Sequence, residues 1–411
     1  MKKRVMAVLS VLLILAIVFT GCAAPAQSSE PAQTQAATEA PKTEAPATDA
    51  PATTPGETAS TGGSDKELPK GDWYIGLANG YMGNTWRAQY VEAFEAKCEE
   101  LKQAGIIGNY VSASTVSDVT EQLNQINNMI ADGVDCIQLN PISPASVVPI
   151  KEICDEAGVL LVINTDPAAV DAEMVEVLCD NKQFFEIMTK WFIDKLDGKG
   201  NIVQITGTPG MPATIVRQAV AEKLLAETDI KVLGSAPGSW SQTESQTAMA
   251  TFLSTYDNID GVLTEDVMAE GIIRAYETAG VDVPVMTGDY VMSFFKKWET
   301  MPELDACATT FQPHAAAEGV SYAVRILNGW ELDKEVLGAN PLDETMNNAI
   351  NIPPSYCITK EKPSEDEEWL QGYDLTEFIS LDEALELGAD LSDTASLGKT
   401  LSDEEWNAMF K

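Results

Sequence analysis

From Trp73 to about residue 330, short apolar runs alternate with segments in which apolar residues recur every third or fourth position. Four large or apolar residues from Trp86 onward are spaced four apart, which predicts an amphipathic helix over residues 85–104. Strands are predicted at 74–78, 134–139, 160–164, 202–205, 230–234, 261–264, 284–287 and 307–311, with further helices at 118–131, 144–158, 212–227, 242–255, 267–279 and 314–328. This alternation predicts an α/β fold with parallel sheets covered by helices on both faces.

The folded region is too long for a single compact core, so we predict two lobes between which the chain crosses several times. The predicted parts are a first lobe of residues 70–175 and 312–347, a second lobe of residues 176–311 and 348–360, and an acidic C-terminal extension of residues 361–411. The extension contains Trp369, Tyr373, Phe378 and Trp406. These aromatic residues predict that it packs against the folded body.

The N-terminus has the pattern of an export signal. Three basic residues at positions 2–4 precede the apolar run Val5–Phe19, which ends at Gly21 and Cys22. The run is too short, and wrongly flanked, for a transmembrane helix, and it is typical of a secretory signal peptide. Small residues followed by Cys resemble the lipobox of bacterial lipoproteins, which implies cleavage after residue 21 and lipidation of Cys22. The alternative is an ordinary signal peptide with a coincidental Cys.

Residues 22–69 are predicted to be a disordered tether, because Ala, Pro and Thr dominate and too little apolar surface is available to offset the ordering entropy. The formal net charge of the whole chain is -37. Such an acidic surface repels phosphate backbones and disfavours nucleic-acid binding. We therefore expect an extracytoplasmic protein whose link to the membrane is the lipid on Cys22.

Six further cysteines occur after Cys22, and none forms a C-x-x-C pair. Most of them lie in apolar segments, where a free Cys behaves as a small hydrophobic residue. We predict that most are free and buried, although an exported chain can also form disulfides.

Polar and aromatic side chains follow the predicted strands, and ligands of open parallel sheets bind beyond the carboxyl ends of the strands. The candidate ligand-binding residues are Tyr81, Asn84, Trp86, Asn164, Asp166, Arg217, Trp240, Glu265, Asp289 and Gln312. Amides and carboxylates form paired hydrogen bonds with hydroxyl groups, and charged partners strengthen them. Indole rings offer a flat apolar face to a sugar ring. The set predicts a small polyhydroxylated ligand.

Several candidates have a structural alternative. Asn84 and Gln312 are suited to capping the helices that follow them. Arg217 could form a surface salt bridge, and Trp86 could belong to the core under its helix. Asp266 is predicted to be the N-cap of a helix that begins at Val267.

These residues resemble the type I periplasmic sugar-binding proteins, the ribose- and galactose-binding kind. The resemblance covers about 73–360 and is carried by Asn164-Thr165-Asp166, by Gly288-Asp289 and above all by the run from Asp260 to Gly271. It implies two Rossmann-like lobes joined by a multi-strand hinge. It also implies a monomeric substrate-binding lipoprotein that delivers a monosaccharide to the permease of an ABC importer.

The chain departs from this family at two positions. Pro167 stands where members often have Arg, and Glu265 stands where they usually have Asn. The loss of a cation and the gain of an anion leave open a ligand with a cationic or donor-rich group.

We do not expect an enzyme, and we expect neither a cofactor nor a metal ion. His314 is the only histidine, which excludes a His-rich zinc site, and the glycine-rich loops lack phosphate-binding spacing. One alternative is a carbohydrate hydrolase that uses Asp166, Glu265 and Asp289 as acid and base. Another is a protein that presents its ligand to a membrane receptor rather than to an importer.

Overall fold

The computed structural model describes residues 67–373 and 375–411. The predicted signal peptide, Cys22 and the predicted tether before residue 67 lie outside the described residues. Within the described ranges, every helix is too short or too polar to span a lipid bilayer.

The first lobe is built on a sheet that has seven strands in the described part of the chain. They are β1 (Trp73–Asn79), β2 (Ile107–Ser114), β3 (Cys136–Asn140), β4 (Leu160–Thr165), β5 (Glu176–Cys179), β11 (Gly338–Asn340) and β12 (Asp343–Ile352). Their order across the sheet is β11-β12-β5-β4-β3-β1-β2, and all neighbours are parallel except β11 and β12. The helices of this lobe are α1 (Thr85–Gln103), α2 (Val119–Ala131), α3 (Pro144–Ala157) and α9 (Ala315–Leu327).

The second lobe repeats this architecture, again with seven described strands. They are β6 (Lys199–Thr206), β7 (Asp229–Pro237), β8 (Gly261–Thr264), β9 (Val285–Thr287), β10 (Ala306–Thr309), β13 (Tyr356–Thr359) and β14 (Glu377–Ser380), in the order β14-β13-β10-β9-β8-β6-β7. The helices are α4 (Asn181–Lys195), α5 (Pro212–Leu225), α6 (Gln242–Thr255), α7 (Ala269–Ala279) and α8 (Met292–Glu299).

The register of each parallel sheet brings the carboxyl ends of its strands to one edge. Asn79 at the end of β1 is opposite Asn140 at the end of β3. In the second lobe, Ile205 near the end of β6 is opposite Thr264 at the end of β8. The loops that follow these strands are therefore held side by side.

Over the residues that the structure describes, the chain crosses between the two sheets three times: after β5, between β10 and α9, and between β12 and β13. The predicted boundary between residues 175 and 176 is wrong, because β5 pairs with β4 and β12 in the first sheet. The boundary after residue 347 is also too early, because β12 continues to Ile352. Two crossings are joined where Asp180 N donates to Ile352 O over 2.8 Å. Apolar runs of four residues carry no information about which sheet they join.

The six cysteines that the structure describes are free and buried, as predicted. Cys307 and Cys357 lie on the adjacent antiparallel strands β10 and β13, with their sulfur atoms 3.5 Å apart. The other thiols fill the cores as small apolar groups.

The C-terminal extension packs against both lobes, which confirms the prediction drawn from its aromatic residues. It adds β14 to the second sheet and continues through α10 (Leu381–Leu387) and α11 (Asp403–Ala408). Trp406 of α11 is fully buried, and its Nε1 donates to Glu318 Oε2 of α9 over 2.6 Å. Leu401 N donates to the other oxygen of Glu318 over 2.7 Å.

The buried carboxyl of Glu318, bonded by Trp406 and Leu401, should make the stability of the protein depend measurably on pH. Desolvation raises the pKa of Glu318 from 4.5 to about 7, although the two donors oppose the shift. The folded state therefore binds this proton more tightly than the unfolded chain. The resulting stabilisation is complete below the unfolded pKa of 4.5 and is lost as pH rises through about 7.

Glu318→Gln removes this titration. Its thermal midpoint should therefore fall less than that of the wild type between about pH 5 and about pH 8. Asp289, whose pKa is also raised to about 7, contributes equally to both proteins. Glu404→Gln, at an exposed position of α11, is the control and should follow the wild type. Parallel profiles for wild type and Glu318→Gln would show that the buried carboxyl is not the titrating group.

Candidate ligand-binding cleft

A small cavity of about 30 Å³ lies between the facing edges of the two sheets. Both lobes contribute to its walls. A hinge segment, the crossing between β10 and α9, contributes as well. The lining residues are Asn84, Trp86, Arg87 and Asp166 from the first lobe, Ala213, Arg217, Trp240, Asp266 and Val267 from the second, and Phe311 from the hinge. Five predicted ligand-binding residues are therefore brought together here: Asn84, Trp86, Asp166, Arg217 and Trp240.

The first turn of α1 is fixed by its own cap and by the hinge. Asn84 accepts a hydrogen bond from Arg87 N over 3.0 Å, so it caps the helix and also lines the cavity. The indole Nε1 of Trp86 donates to Phe311 O over 2.6 Å, and the ring stacks on Tyr90 with centroids 5.5 Å apart. These contacts hold the Trp86 ring in place beside the cavity.

A buried ion pair completes the wall of the first lobe. Arg87 Nη2 lies 2.9 Å from Asp166 Oδ2, and Asn140 Nδ2 donates to the same oxygen over 2.9 Å. The guanidinium of Arg87 also lies 4.8 Å from the ring centroid of Trp86. Arg87 Nη1 and Asp166 Oδ1 are buried and have no hydrogen-bond partner in the protein.

Sequence analysis missed Arg87. It follows Trp86 in the first turn of a helix that begins beyond a central strand, and arginine is scarce in this chain. Its partner is 79 positions away, so the ion pair has no local signature. The available signal was that Arg87 lies in the first turn of α1, the helix that follows the carboxyl end of β1.

A second buried ion pair forms the opposite wall. Arg217 Nη1 lies 2.8 Å from Asp266 Oδ1, and Arg217 Nε donates to Asn181 Oδ1 over 2.9 Å. The guanidinium lies against both Phe184 and Phe311, 4.4 and 4.6 Å from their ring centroids. Arg217 is almost completely buried, so the alternative of a surface salt bridge is wrong.

Asp289, rather than Asp266, bonds to the start of α7. The predicted N-cap role of Asp266 is wrong, because α7 begins only at Ala269 and Asp289 accepts from Met268 N and Ala269 N over 3.1 and 3.2 Å. Val267 has a φ of 58°, which turns the chain before the helix begins. Asp266 instead faces Arg217 and accepts from Tyr290 OH over 2.8 Å.

Burial affects the acidic groups behind this wall. Desolvation raises the pKa of Asp289 to about 7, with Asp266 adding to the shift. Glu265 is fully buried, 3.5 Å from Arg217 Nη1, and accepts from Gln218 over 3.3 Å. Desolvation raises the pKa of Glu265, while Arg217 opposes the shift. Neither Glu265 nor Asp289 lines the cavity.

Trp240 lies on the rim of the second lobe in a strained backbone conformation. Ser239 and Trp240 both have a φ of 53°, a region that costs non-glycine residues about 1–3 kcal/mol. The indole packs directly over Gly207, where a β-carbon would lie 2.4 Å from the ring. Its Nε1 is buried and has no partner in the protein. Strain of this kind persists only where the surrounding structure fixes the conformation.

The remaining candidates lie outside the described lining. Asn164 is fully buried within the first lobe, where it accepts from Tyr90 OH and donates to Val177 O. Gln312 Nε2 donates to Pro353 O across two hinge segments over 3.2 Å, and Gln312 does not cap α9. Tyr81 is half-buried near Arg87. Ligand contacts by Tyr81, Asn164, Glu265, Asp289 and Gln312 stay predictions.

The sequence comparison agrees with this architecture. Residues 75–331, more than half of the chain, match the model of the periplasmic binding protein domain. The chain belongs to the periplasmic binding protein family. The predicted α/β fold with two Rossmann-like lobes is thereby confirmed.

Individual members of this family resemble the chain over parts of their length. It is 29% identical to a putative rhizopine-binding protein of Rhizobium meliloti, over 40% of this chain and 56% of that protein. It is 30% identical to a xylitol-binding protein of Mycolicibacterium smegmatis, over 42% of this chain and 51% of that protein. The chain thus spans about half the length of these relatives.

Solved structures of the family share the fold. An ABC transporter solute-binding protein from Thermobispora bispora has a TM-score of 0.66 at 20% identity, over 82% of this chain and 94% of that one. The similarity therefore extends well beyond the region matched in sequence and includes most of the two lobes.

The ion pair between Arg87 and Asp166 should be energetically coupled. Removing one member of a buried pair strands the other charge, which costs about 3 kcal/mol, whereas removing both relieves that cost. Arg87→Met and Asp166→Ala should each lower the free energy of unfolding by about 2–3 kcal/mol. This cost is smaller than for an ion pair deep in a core, because the cavity lies beside the charge that is left unpaired. The double variant should cost clearly less than the sum, as measured by urea denaturation. Additive costs would contradict the pairing.

Proposed function

We propose that this chain is a lipid-anchored, extracytoplasmic solute-binding protein that captures a neutral sugar or polyol between its lobes and delivers it to an ABC importer. The xylitol-binding relative carries a polyol in its name, and the Thermobispora protein is named as an ABC transporter component. The signal-like N-terminus and Cys22 supply the anchor in this proposal, and the protein acts as a monomer.

The observation that carries the proposal is a set of unpartnered polar atoms around the cavity. Arg87 Nη1 and Trp240 Nε1 are donors, Asp166 Oδ1 is an acceptor, and all three are buried without a partner in the protein. Buried polar groups cost free energy unless they are hydrogen-bonded. A ligand that carries several hydroxyl groups can both accept and donate at such positions.

The aromatic rings complement these atoms. Trp86 and Trp240 line the cavity from opposite lobes. The C–H face of a sugar or polyol can pack on them while its hydroxyl groups bond to the charged residues. This combination of an apolar platform and a few placed polar groups is typical of small-molecule sites.

Charge balance favours a neutral ligand. The two cavity arginines each have a carboxylate within 2.9 Å, so the lining carries two positive and two negative groups. Arg87 lies beside Asp166 and provides the positive charge that Pro167 cannot provide. Glu265 is engaged by Arg217 and Gln218. The two departures from the family pattern therefore no longer support a cationic ligand.

Hydrolysis is disfavoured by the same contacts. A general acid near the ligand would need a carboxyl with a raised pKa. The cavity carboxylates Asp166 and Asp266 are each held in an ion pair with an arginine. Asp289, whose pKa is raised, caps α7 instead. These features suit binding rather than proton transfer.

Ligand binding in this proposal closes the hinge. Contacts from both lobes meet the ligand, so it favours the closed arrangement by the difference in its affinity for the two states. The closed form is then the species presented to the importer. A sensor role, in which the closed form meets a receptor instead, uses the same binding step.

A thermal-shift screen tests the proposal. Pentoses, hexoses, sugar alcohols, amino sugars, sugar acids and amino acids are each added to the purified protein. A ligand at about 100 times its dissociation constant stabilises by about 2.7 kcal/mol, which raises the midpoint by about 5–10 °C. We expect shifts with neutral sugars or polyols and weaker ones with their charged analogues.

Arg87→Met provides the matched control for the screen, since it removes one cavity donor while leaving the opposite wall intact. Its shift with the same compound should be much smaller than that of the wild type. A shift with amino acids or charged sugars alone, or an Arg87→Met response equal to the wild type, would refute the proposed ligand class.

A further inference from the structure

The chain makes a fourth passage between the lobes near its C-terminus. Residues 391–397 are attached to the second lobe beside the cleft, where they pair with the segment that follows β9. Met292 N donates to Ala395 O over 3.0 Å, and Leu397 N donates to Tyr290 O over 3.1 Å. Tyr290 is the residue whose hydroxyl holds Asp266 at the cavity wall.

The residues that follow are attached to the first lobe. Leu401 and Trp406 both donate to the carboxylate of Glu318 on α9. Arg325 Nε of the same helix donates to Asn407 Oδ1 over 3.0 Å. Residues 398–400 alone connect the part attached to the second lobe with the part attached to the first.

This short passage runs beside the hinge. Lys399 N donates to Ser355 Oγ over 3.1 Å, and Gly398 lies so close to Gln312 that a β-carbon would be 2.5 Å from the Gln312 β-carbon. Gln312 and Ser355 both belong to segments that cross between the sheets. A passage placed at the hinge can follow a rotation of the lobes with small changes in its backbone dihedrals.

Gln89 makes a different kind of contact. It lies on α1 of the first lobe, one turn after Trp86, yet both ends of its side chain bond to the segment that is attached to the second lobe. Its Nε2 donates to Thr394 O over 2.8 Å, and its Oε1 accepts from Ser396 N over 2.9 Å. Both hydrogen bonds therefore join α1 of the first lobe to a segment that is attached to the second lobe.

We propose that residues 391–397 form a latch, closed by Gln89, that stabilises the closed arrangement of the two lobes in the absence of ligand. The latch sets how often the cleft opens. Two hydrogen bonds at a partly exposed site shift a two-state equilibrium by about fivefold. Loss of the latch weakens the binding of any ligand that requires the closed form, because the competent fraction falls.

Backbone amide exchange tests the latch without a ligand, and therefore independently of the proposed function. In the purified protein, Ser396 N–H is bonded across the cleft, whereas Leu397 N–H is bonded within the second lobe. Gln89→Met keeps the side-chain length but cannot form either hydrogen bond. We expect exchange at Ser396 to accelerate by about fivefold or more and exchange at Leu397 to stay unchanged.

Gln103→Met is the matched control, because Gln103 lies on the same helix but bonds only to Glu99 within it. It should leave both amides unchanged. The latch is refuted if Ser396 is unprotected in the wild type, if Gln89→Met leaves its exchange unchanged, or if Ser396 and Leu397 accelerate equally, which would mean that the whole segment detaches. Gln89→Ala repeats the test with a second variant.

Discussion

Burying a guanidinium costs several kcal/mol unless a carboxylate compensates its charge, and each lobe of this protein buries one arginine at the edge of the cleft. Arg87 is compensated by Asp166 and Arg217 by Asp266. Each pair lies within one lobe, so neither lobe needs the other to neutralise its own charges. The lobes can therefore separate without stranding a buried ion, which is a condition for a hinge that opens and closes.

The same pairs define what the cleft can accept. Once each arginine has its carboxylate, the atoms left over are individual donors and acceptors rather than net charges. Arg87 Nη1, Asp166 Oδ1 and Trp240 Nε1 are such atoms, and two indole faces adjoin them. A neutral, hydroxyl-rich ligand satisfies them without introducing an uncompensated charge.

Periodicity predicted most of the elements that have one buried face, but it missed others, among them one helix and one edge strand. The helix predicted at 85–104 is observed as Thr85–Gln103. Helix α4 was missed although its apolar residues, among them Phe184, Met188 and Trp191, recur every third or fourth position. Strand β2 was missed because its residues are mostly half-exposed at the sheet edge and include Gly and Asn.

Five of the ten residues that line the cavity were among the predicted ligand-binding residues, and two of the others, Arg87 and Asp266, depend on distant partners. Arg87 is fixed by Asp166, and Asp266 by Tyr290 and Arg217. Asp289 rather than Asp266 bonds to the start of α7, and the left-handed backbone at Val267 lies between Asp266 and that helix. Long-range ion pairs and loop conformations of this kind leave no local pattern in a sequence.

The most direct measurement is a crystal structure of the protein with the compound that gives the largest thermal shift. The account predicts one neutral ring or chain between Trp86 and Trp240, with hydroxyl groups bonded to Asp166 Oδ1 and Arg87 Nη1 and both ion pairs intact. A ligand bound outside this cleft would contradict the account. A ligand whose charged group displaces Asp266 from Arg217 would contradict it as well.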